Sequence, residues 1–442
     1  MHRAHPRTGG SRVALPRRRR LTILGRDCID RASGRHPTGV PPLWRNRDYV
    51  LLWSGQAVSV LGTQVTQIAF PLLVLGLTGS AAAAGLVAAA RTLPYLLLTL
   101  PAGALVDRWD RRATMVVCSA GSALALASVA SAYAAGVLTI PQIVAVSLVE
   151  GSCAVVYGLA ETAALRQVVS TAQLPTAVAQ QQLQYSIGGI VGPPLGGALY
   201  SVSIALPFVV DAASYAAASA SLAAVRTPLP GAPTAARSIR TEVSEGVRWL
   251  WSHPLIRYMA ILTGMLNFAG QGVTLIAVVL ARGQGASPTE VGAIFAAGGV
   301  GGVLGALAAP FVQRRLSFGQ AIVGQIWCSA AAILLLSVAT TPLLVLSALV
   351  LWNLVGPLYD TVQQSYRMAL TPERLQGRVT SVFRMFAQGM GPFGLALTGV
   401  LLDRVGGAAT ALACGSLMAL LALVTTRTPH VRAAPPLASA RE

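Results

Sequence analysis

Residues 49–90 read YVLLWSGQAVSVLGTQVTQIAFPLLVLGLTGSAAAAGLVAAA, without a single Asp, Glu, Lys or Arg. A helix crosses a bilayer with ~20 apolar residues, so the stretch is long enough for two crossings, with a turn between Leu77 and Ala81. Leu316–Tyr359 is a second charge-free run of similar length. No soluble core needs such runs. Working outward, the remainder of Tyr49–Thr426 repeats the pattern: long apolar segments broken by short arginine-bearing knots that recur on alternate sides.

Composition agrees. Charged residues make up 11% of the chain and hydrophobic ones 54%, with a mean hydropathy of +0.62, whereas soluble domains carry about 25% charged residues. Backbone amides in lipid must bond internally. Because Gly and Pro fall inside continuous apolar stretches rather than between alternating strands, a helical bundle is expected and a barrel is not. The five cysteines (Cys28, Cys118, Cys153, Cys328, Cys414) lack metal-ligand spacing, and four sit in apolar segments, so neither a disulfide framework nor a metal site is indicated. The net charge of +18 raises the question of a nucleic-acid partner. Half of that excess lies in Arg3–Asp48, ahead of the first apolar segment, and no recognition motif accompanies it, so no nucleic-acid partner is expected.

Apolar stretches between turn signals predict twelve helices. They span 50–77, 81–106, 113–135, 140–164, 183–202, 204–225, 258–280, 291–312, 318–339, 342–366, 379–402 and 408–425. Turns on one side carry Arg108, Arg111 and Arg112, then Arg166, the group from Arg226 to Arg257, Arg314 with Arg315, and Arg367, Arg374 and Arg378; the other side holds only Arg282 and Arg404. Arginine-rich turns face the cytoplasm, which puts both termini there and requires an even number of crossings. The domain expectation is an Arg/Pro-rich disordered tail (1–44), a six-helix bundle (45–225), a cytoplasmic linker with an interfacial helix (226–257), a second six-helix bundle (258–426) and a short cytoplasmic tail (427–442). Thr227-Pro-Leu-Pro-Gly-Ala-Pro reads as a flexible linker, and Ser238–Leu250 as the interfacial helix. No apolar run in the first 44 residues suits a signal peptide; an alternative start at Val40 fits the same observation.

The halves echo one another. Gly103-Ala-Leu-Val-Asp107-Arg108-Trp-Asp110-Arg111-Arg112 closes the second helix and Gly305-Ala-Leu-Ala-Ala-Pro-Phe-Val-Gln-Arg314-Arg315 the eighth, while Gly192-Pro193 and Gly391-Pro392 recur at a similar offset. A duplicated six-helix unit is the architecture with which secondary transporters alternate access around a central site. The Gly103–Arg112 stretch resembles the loop signature G-x-L-x-D-R-x-x-R-R of the major facilitator superfamily, with Asp110 where many members have Gly. Gly188-x-x-x-Gly192-Pro193-x-x-Gly196-Gly197 is similar to the fifth-helix signature of its antiporters. Leu43-Trp-Arg-Asn-Arg-Asp-Tyr, Gly246–Arg257 and the Pro372, Gly377, Arg378 pattern resemble its drug- and siderophore-exporter branch, which includes enterobactin exporters. The resemblance spans roughly Leu43–Thr428 and implies the fold with two six-helix bundles, export of a drug, antibiotic or siderophore, and exchange for protons.

Several residues have individual roles to fill. Asp107 at a helix end among Arg108, Arg111 and Arg112 suits a breakable ionic latch, against the plainer reading of a solvated basic turn. Gly188, Gly192, Gly196 and Gly197 form a small-residue stripe that admits a neighbouring helix, and Pro193 bends it. Arg91 and Glu150 each lie about ten residues into their helices, near the bilayer midplane at ~1.5 Å per residue, where they can pair. Glu150 is then either the proton-coupling carboxyl, the resemblance placing its helix along the cavity, or half of a structural ion pair. Asp211 suits a structural hydrogen-bonding role better than coupling. Asp360 and Arg384 are expected to form a gate in the second half. Gln64, Gln67, Asn267, Gln271, Tyr359, Gln363 and Gln364 are candidate cavity groups. All five histidines lie outside the apolar helices and no phosphate loop or hydrolase motif occurs, so neither an enzyme, a cofactor nor ATP-driven pumping is expected. The expected partners are a small-molecule substrate, protons and the lipid of a bacterial plasma membrane, with a monomeric chain. Substrate:proton symport or uptake, and a non-transporting receptor on the same fold, are the alternatives.

Overall fold

The computed structural model describes residues 42–231, 239–372 and 375–432; the expected disordered tail up to residue 41, residues 232–238 of the linker, Arg374 and the last ten residues lie outside it. A short 3-10 turn, Leu43–Arg45, belongs to a separate unit ending at Asn46. From Arg47 onward the described residues are helical almost throughout. The helices are α1 Arg47–Thr78, α2 Ala81–Val106, α3 Arg111–Ala134, α4 Ile140–Val168, α5 Leu174–Val202, α6 Leu206–Ala223, α7 Ile239–Ser252, α8 Pro254–Gly270, α9 Val273–Gly283, α10 Pro288–Arg315, α11 Phe318–Ser337, α12 Pro342–Leu370, α13 Gln376–Gly389, α14 Gly391–Arg427 and α15 Pro429–Arg432.

Local chemistry sets the helix starts. Ser80 accepts from the Ala83 amide ahead of α2, Asp110 from the Ala113 amide ahead of α3, and Ser287–Glu290 and Ser317–Gln320 form capping boxes ahead of α10 and α11. Asp110, the departure from the loop signature, therefore serves as a helix cap. Among the described residues, ten stretches are long and apolar enough to cross a membrane. The last of them, Gln376–Arg427, holds two crossings, because Gly406 breaks α14 at φ +81°, ψ 173°, a backbone region essentially reserved for glycine. α5 is missing from the ten because Gln180, Gln181, Gln182 and Gln184 dilute its apolar character, yet it packs between α1 and α10. Twelve crossings result.

The first six helices form one bundle: α1 packs on α5 and α6, α3 on α4 and α6, and α2 on α4. Phe70 and Phe208 meet edge to face at 5.1 Å within it. The second bundle packs α10 on α12, α11 on α12 and α14, and α8 on α13 and α14. Its first crossing is not the continuous helix expected over 258–280. Gln271 and Gly272 interrupt it between α8 and α9, where Gly272 sits directly against Thr398 of α14. Discontinuous helices of this kind are tolerated where neighbouring helices shield the freed backbone.

The linker also differs from expectation. Asp48 accepts from the Arg226 and Thr227 amides and the Thr227 hydroxyl, Leu229 is buried, and the Leu229 carbonyl accepts from the Arg111 amide at 2.9 Å. Residues 226–231 are thus strapped across the ends of α1 and α3 rather than free, since amides at one end of the segment and a carbonyl further along have found fixed partners.

Candidate functional site

Arg91 on α2 and Glu150 on α4 meet inside the first bundle, with Nη2 donating to Oε1 at 2.6 Å. Glu150 is 1% exposed and Arg91 23%. Close approach of the two helices makes the pair possible: Gly151 lies against the Arg91 carbonyl, where any side chain would collide. The second carboxylate oxygen of Glu150, Oε2, is buried without a hydrogen-bond partner. The ion pair thus satisfies one carboxylate oxygen and leaves the other as a buried acceptor without a donor, an arrangement uncommon in folded proteins. Asp211 on α6 is held differently. It is fully buried and accepts from Thr66 Oγ1 at 2.6 Å and Ser214 Oγ at 3.1 Å, pressed against Gly62 of α1.

A cavity of about 200 Å³ opens in the arginine-rich half of the same bundle. α1 contributes Gln56 and Gln64, α3 and α4 contribute Cys118, Cys153, Tyr157 and Glu161, and Tyr95, Tyr185 and Tyr215 close it from α2, α5 and α6. Of the cavity groups expected from sequence, Gln64 lines it. Gln67 is exposed one turn further on. Asn267, Gln271 and Tyr359 sit in the second bundle: Asn267 donates to the Ala387 carbonyl at 2.6 Å, Tyr359 bonds Thr263 at 2.6 Å and Gln271 packs on Gly391. Gln363 is buried with its amide nitrogen unpartnered, and Gln364 is exposed. Tyr95, Tyr157, Tyr185, Tyr215 and Glu161 were not singled out from sequence; the i, i+4, i+7, i+11 recurrence of Glu150, Ala154, Tyr157 and Glu161 on α4 was the available signal.

The two bundles touch in the arginine-poor half. Gly85 of α2 would place a Cβ 2.7 Å from the Leu395 carbonyl of α14, and Gly292 of α10 one 2.5 Å from the Pro193 carbonyl of α5. Asp403 of α14 caps the start of α2, accepting from Ser80 Oγ and the Ala81 amide at 2.6 Å and from the Ala82 amide at 3.0 Å. Ser201 of α5 bonds Thr289 of α10 at 3.0 Å. The face of α5 that α10 covers from Gly189 onward is bare before it, where Val178, Gln182 and Tyr185 are exposed; Leu307 and Phe311 are exposed at the opposite end of α10. The helices splay, closed on the arginine-poor side and open on the other.

A sequence model of the Major Facilitator Superfamily matches residues 52–395. The chain belongs to the major facilitator superfamily. It is 32% identical to the multidrug efflux pump Tap of Mycolicibacterium fortuitum over 84% of this chain and 93% of that protein, and 26% identical to macrolide efflux protein A of Streptococcus pyogenes over 88% and 97%. The crystal structure of the nucleoside transporter NupG superposes with a TM-score of 0.73 at 14% identity, over 86% of this chain and 98% of that one, a likeness of fold. A major facilitator chain with ten apolar spans is a multi-pass membrane protein, and its family is one of transporters.

The superfamily's two signatures occupy different places here. In α5, Gly188, Gly192 and Gly196 face α1 and meet Val60, Gln64 and Val65, whereas Gly197 faces Pro288 of α10. One stripe thus serves both packing within the bundle and the seam between bundles. In the loop signature, the structure departs from the expected latch. Asp107 is exposed and, among the described residues, forms no ion pair or hydrogen bond with Arg108, Arg111 or Arg112. Arg111, 5% exposed, donates instead to the Pro230 carbonyl, and Arg112 to that of Ala223. The strapped linker draws Arg111 away, and the end of α6 draws Arg112. Gly103 lies partly buried near the end of α2, and Arg108 packs against Gly231.

The gate expected between Asp360 and Arg384 is likewise not formed. Both are exposed, with no ion pair between them. Arg367, 6% exposed, stacks on Phe383 at 4.2 Å in the same region. Glu245 of α7 pairs with Arg378 of α13, which fastens the interfacial helix to the second bundle.

Proposed function

We propose that this chain exports amphipathic drug-like molecules across the cytoplasmic membrane by proton antiport, as a monomer with both termini in the cytoplasm. The names of the relatives, multidrug efflux and macrolide efflux, support the cargo class, and the arginine-rich turns support the orientation. The observation that carries the coupling reading is the Arg91–Glu150 pair with its orphaned Oε2.

In the state described, the cavity opens toward the arginine-rich, cytoplasmic side, and Asp403, Ser201 and Thr289 hold the opposite side shut. Substrate enters from the cytoplasm. Separating the arginine-poor halves breaks the Asp403 cap and the Ser201–Thr289 bond, and the glycine seams then part. Helix α2 carries both Arg91 and the capped Ser80–Ala82 start, so motion of that helix changes the distance on which Glu150 depends. Alternating exposure of this carboxyl to the two sides is how substrate movement would be coupled to proton movement.

Proteoliposomes loaded with substrate and given an imposed pH gradient test this reading. Glu150→Gln imitates the protonated carboxyl and is expected to bind substrate and exchange it downhill while losing gradient-driven export. Export by Glu150→Gln at the wild-type rate under the same gradient overturns the role of Glu150.

A further inference from the structure

Glu161 takes no part in the Arg91–Glu150 pair. It lies eleven residues further along α4, close to three helical turns, so it shares a face with Glu150 about 16 Å nearer the arginine-rich side. Glu150 has a guanidinium beside it. Glu161, in contrast, makes no ion pair among the described residues, and the Gln181 amide is its polar neighbour. All of the chain's 33 basic residues are arginines, yet none lines this cavity, where Glu161 is the only carboxyl among the described residues.

Four tyrosines line the same cavity as that carboxyl: Tyr157 on its own helix, and Tyr95, Tyr185 and Tyr215 on α2, α5 and α6. Two have fixed hydroxyls, Tyr185 accepting from Gln56 at 3.3 Å and Tyr215 bonded to Thr63 at 3.0 Å. Tyr95 and Tyr185 are each almost half exposed and stand at the mouth. One negative group among aromatic rings attracts an organic cation twice over, by charge and by ring quadrupole. An anion is repelled. A small hard cation such as Ca²⁺ needs six to eight oxygen ligands, which one carboxyl and a few hydroxyls do not supply.

We propose that this cavity binds the cationic head group of an amphipathic substrate, a protonated tertiary amine or a quaternary ammonium, with Glu161 as counter-ion and Tyr157, Tyr95 and Tyr185 as the rings. The cavity's modest size fits a head group whose apolar remainder stays in the open mouth between the bundles. The proposal deepens the export reading, on which the direction of transport rests, but binding itself is measurable without transport.

The test uses the full-length chain in nanodiscs of zwitterionic lipid and equilibrium dialysis of two probes of nearly equal shape: benzyltrimethylammonium and the net-neutral N,N-dimethylbenzylamine N-oxide. Wild type is expected to bind the cation at least about ten-fold more tightly. Glu161→Gln should abolish that preference, Glu161→Asp should keep it, and Tyr157→Leu should weaken cation binding about three-fold or more. Gel filtration and melting temperature report whether each variant is folded; if Glu161→Gln is not, the Glu161→Asp and Tyr157→Leu arms decide. Equal binding of both probes by wild type, or an undiminished preference in folded Glu161→Gln, overturns the proposal. Charge-selective binding without export in proteoliposomes sinks the export reading alone, and export without charge-selective binding sinks this proposal alone.

Discussion

At the scale of single residues, partners decide more than positions do. Arg91 and Glu150 are far apart in sequence, and each alone in a membrane helix is a costly charge; together they leave one unsatisfied oxygen. Arg91→Ala removes the partner and strands a buried carboxylate, a change that typically costs about 3–5 kcal/mol. Thermal melts in detergent should therefore show Arg91→Ala well below wild type, with Arg91→Ala/Glu150→Gln recovering much of the loss. A double variant no more stable than the single one argues that the pair is not what holds α2 to α4. Asp107 offers the opposite case. Exposed in this state and without an ion pair among the described residues, it should tolerate Asn within about 0.5 kcal/mol of stability. If its partner belongs to the other conformation, Asp107→Asn should still export poorly at normal membrane levels, and normal export would leave the latch without support.

The helices show why glycine spacing alone underdetermined its own meaning. Gly188, Gly192 and Gly196 are equivalent in the motif, but their surroundings are not. A Cβ at Gly188 meets the tip of Val60 at 2.9 Å, a side chain able to turn aside, whereas one at Gly192 runs into the Cβ and backbone of Gln64. Gly188→Ala is accordingly expected to lower folded yield slightly and Gly192→Ala severely, by overpacking of about 1–3 kcal/mol or more. Fluorescence-detected gel filtration of the two variants checks the order. Similar yields would mean that α1 and α5 are less tightly joined than the close approach indicates.

Across the whole molecule, the decisive feature is that the tightest backbone approaches between bundles lie in the arginine-poor half, while α13 meets α2 nearer the middle, where Gly389 packs on Leu96. Ser201 and Thr289, 3.0 Å apart across the seam of α5 and α10, mark the closed side. Replacing both by Cys and oxidising should lock that side, abolish export and leave cytoplasmic substrate binding intact, and dithiothreitol should restore transport. Continued export by the cross-linked protein would show that this seam does not open during the cycle.

Charge and hydropathy by themselves determined that the chain is a polytopic helical protein, how many crossings it has, and which turns share a side. These are properties of segments: a run such as Tyr49–Ala90 excludes water whatever surrounds it. The two signatures likewise needed only local spacing, as did the meeting of Arg91 with Glu150, because both lie at similar depth in their helices. Other features were decided by tertiary structure alone. The linker at 226–231 takes Arg111 from Asp107 because its carbonyls are strapped beside that guanidinium, and no local pattern announces that. Gly272, at the break between α8 and α9, is where Thr398 of α14 packs so closely that a Cβ would collide with it, a contact that exists only once the helices are assembled. Glu161 gained its tyrosine surroundings from four helices whose relative rotation depends on long-range packing, so its character as a lone carboxyl in an aromatic cavity exists only once the bundle is assembled.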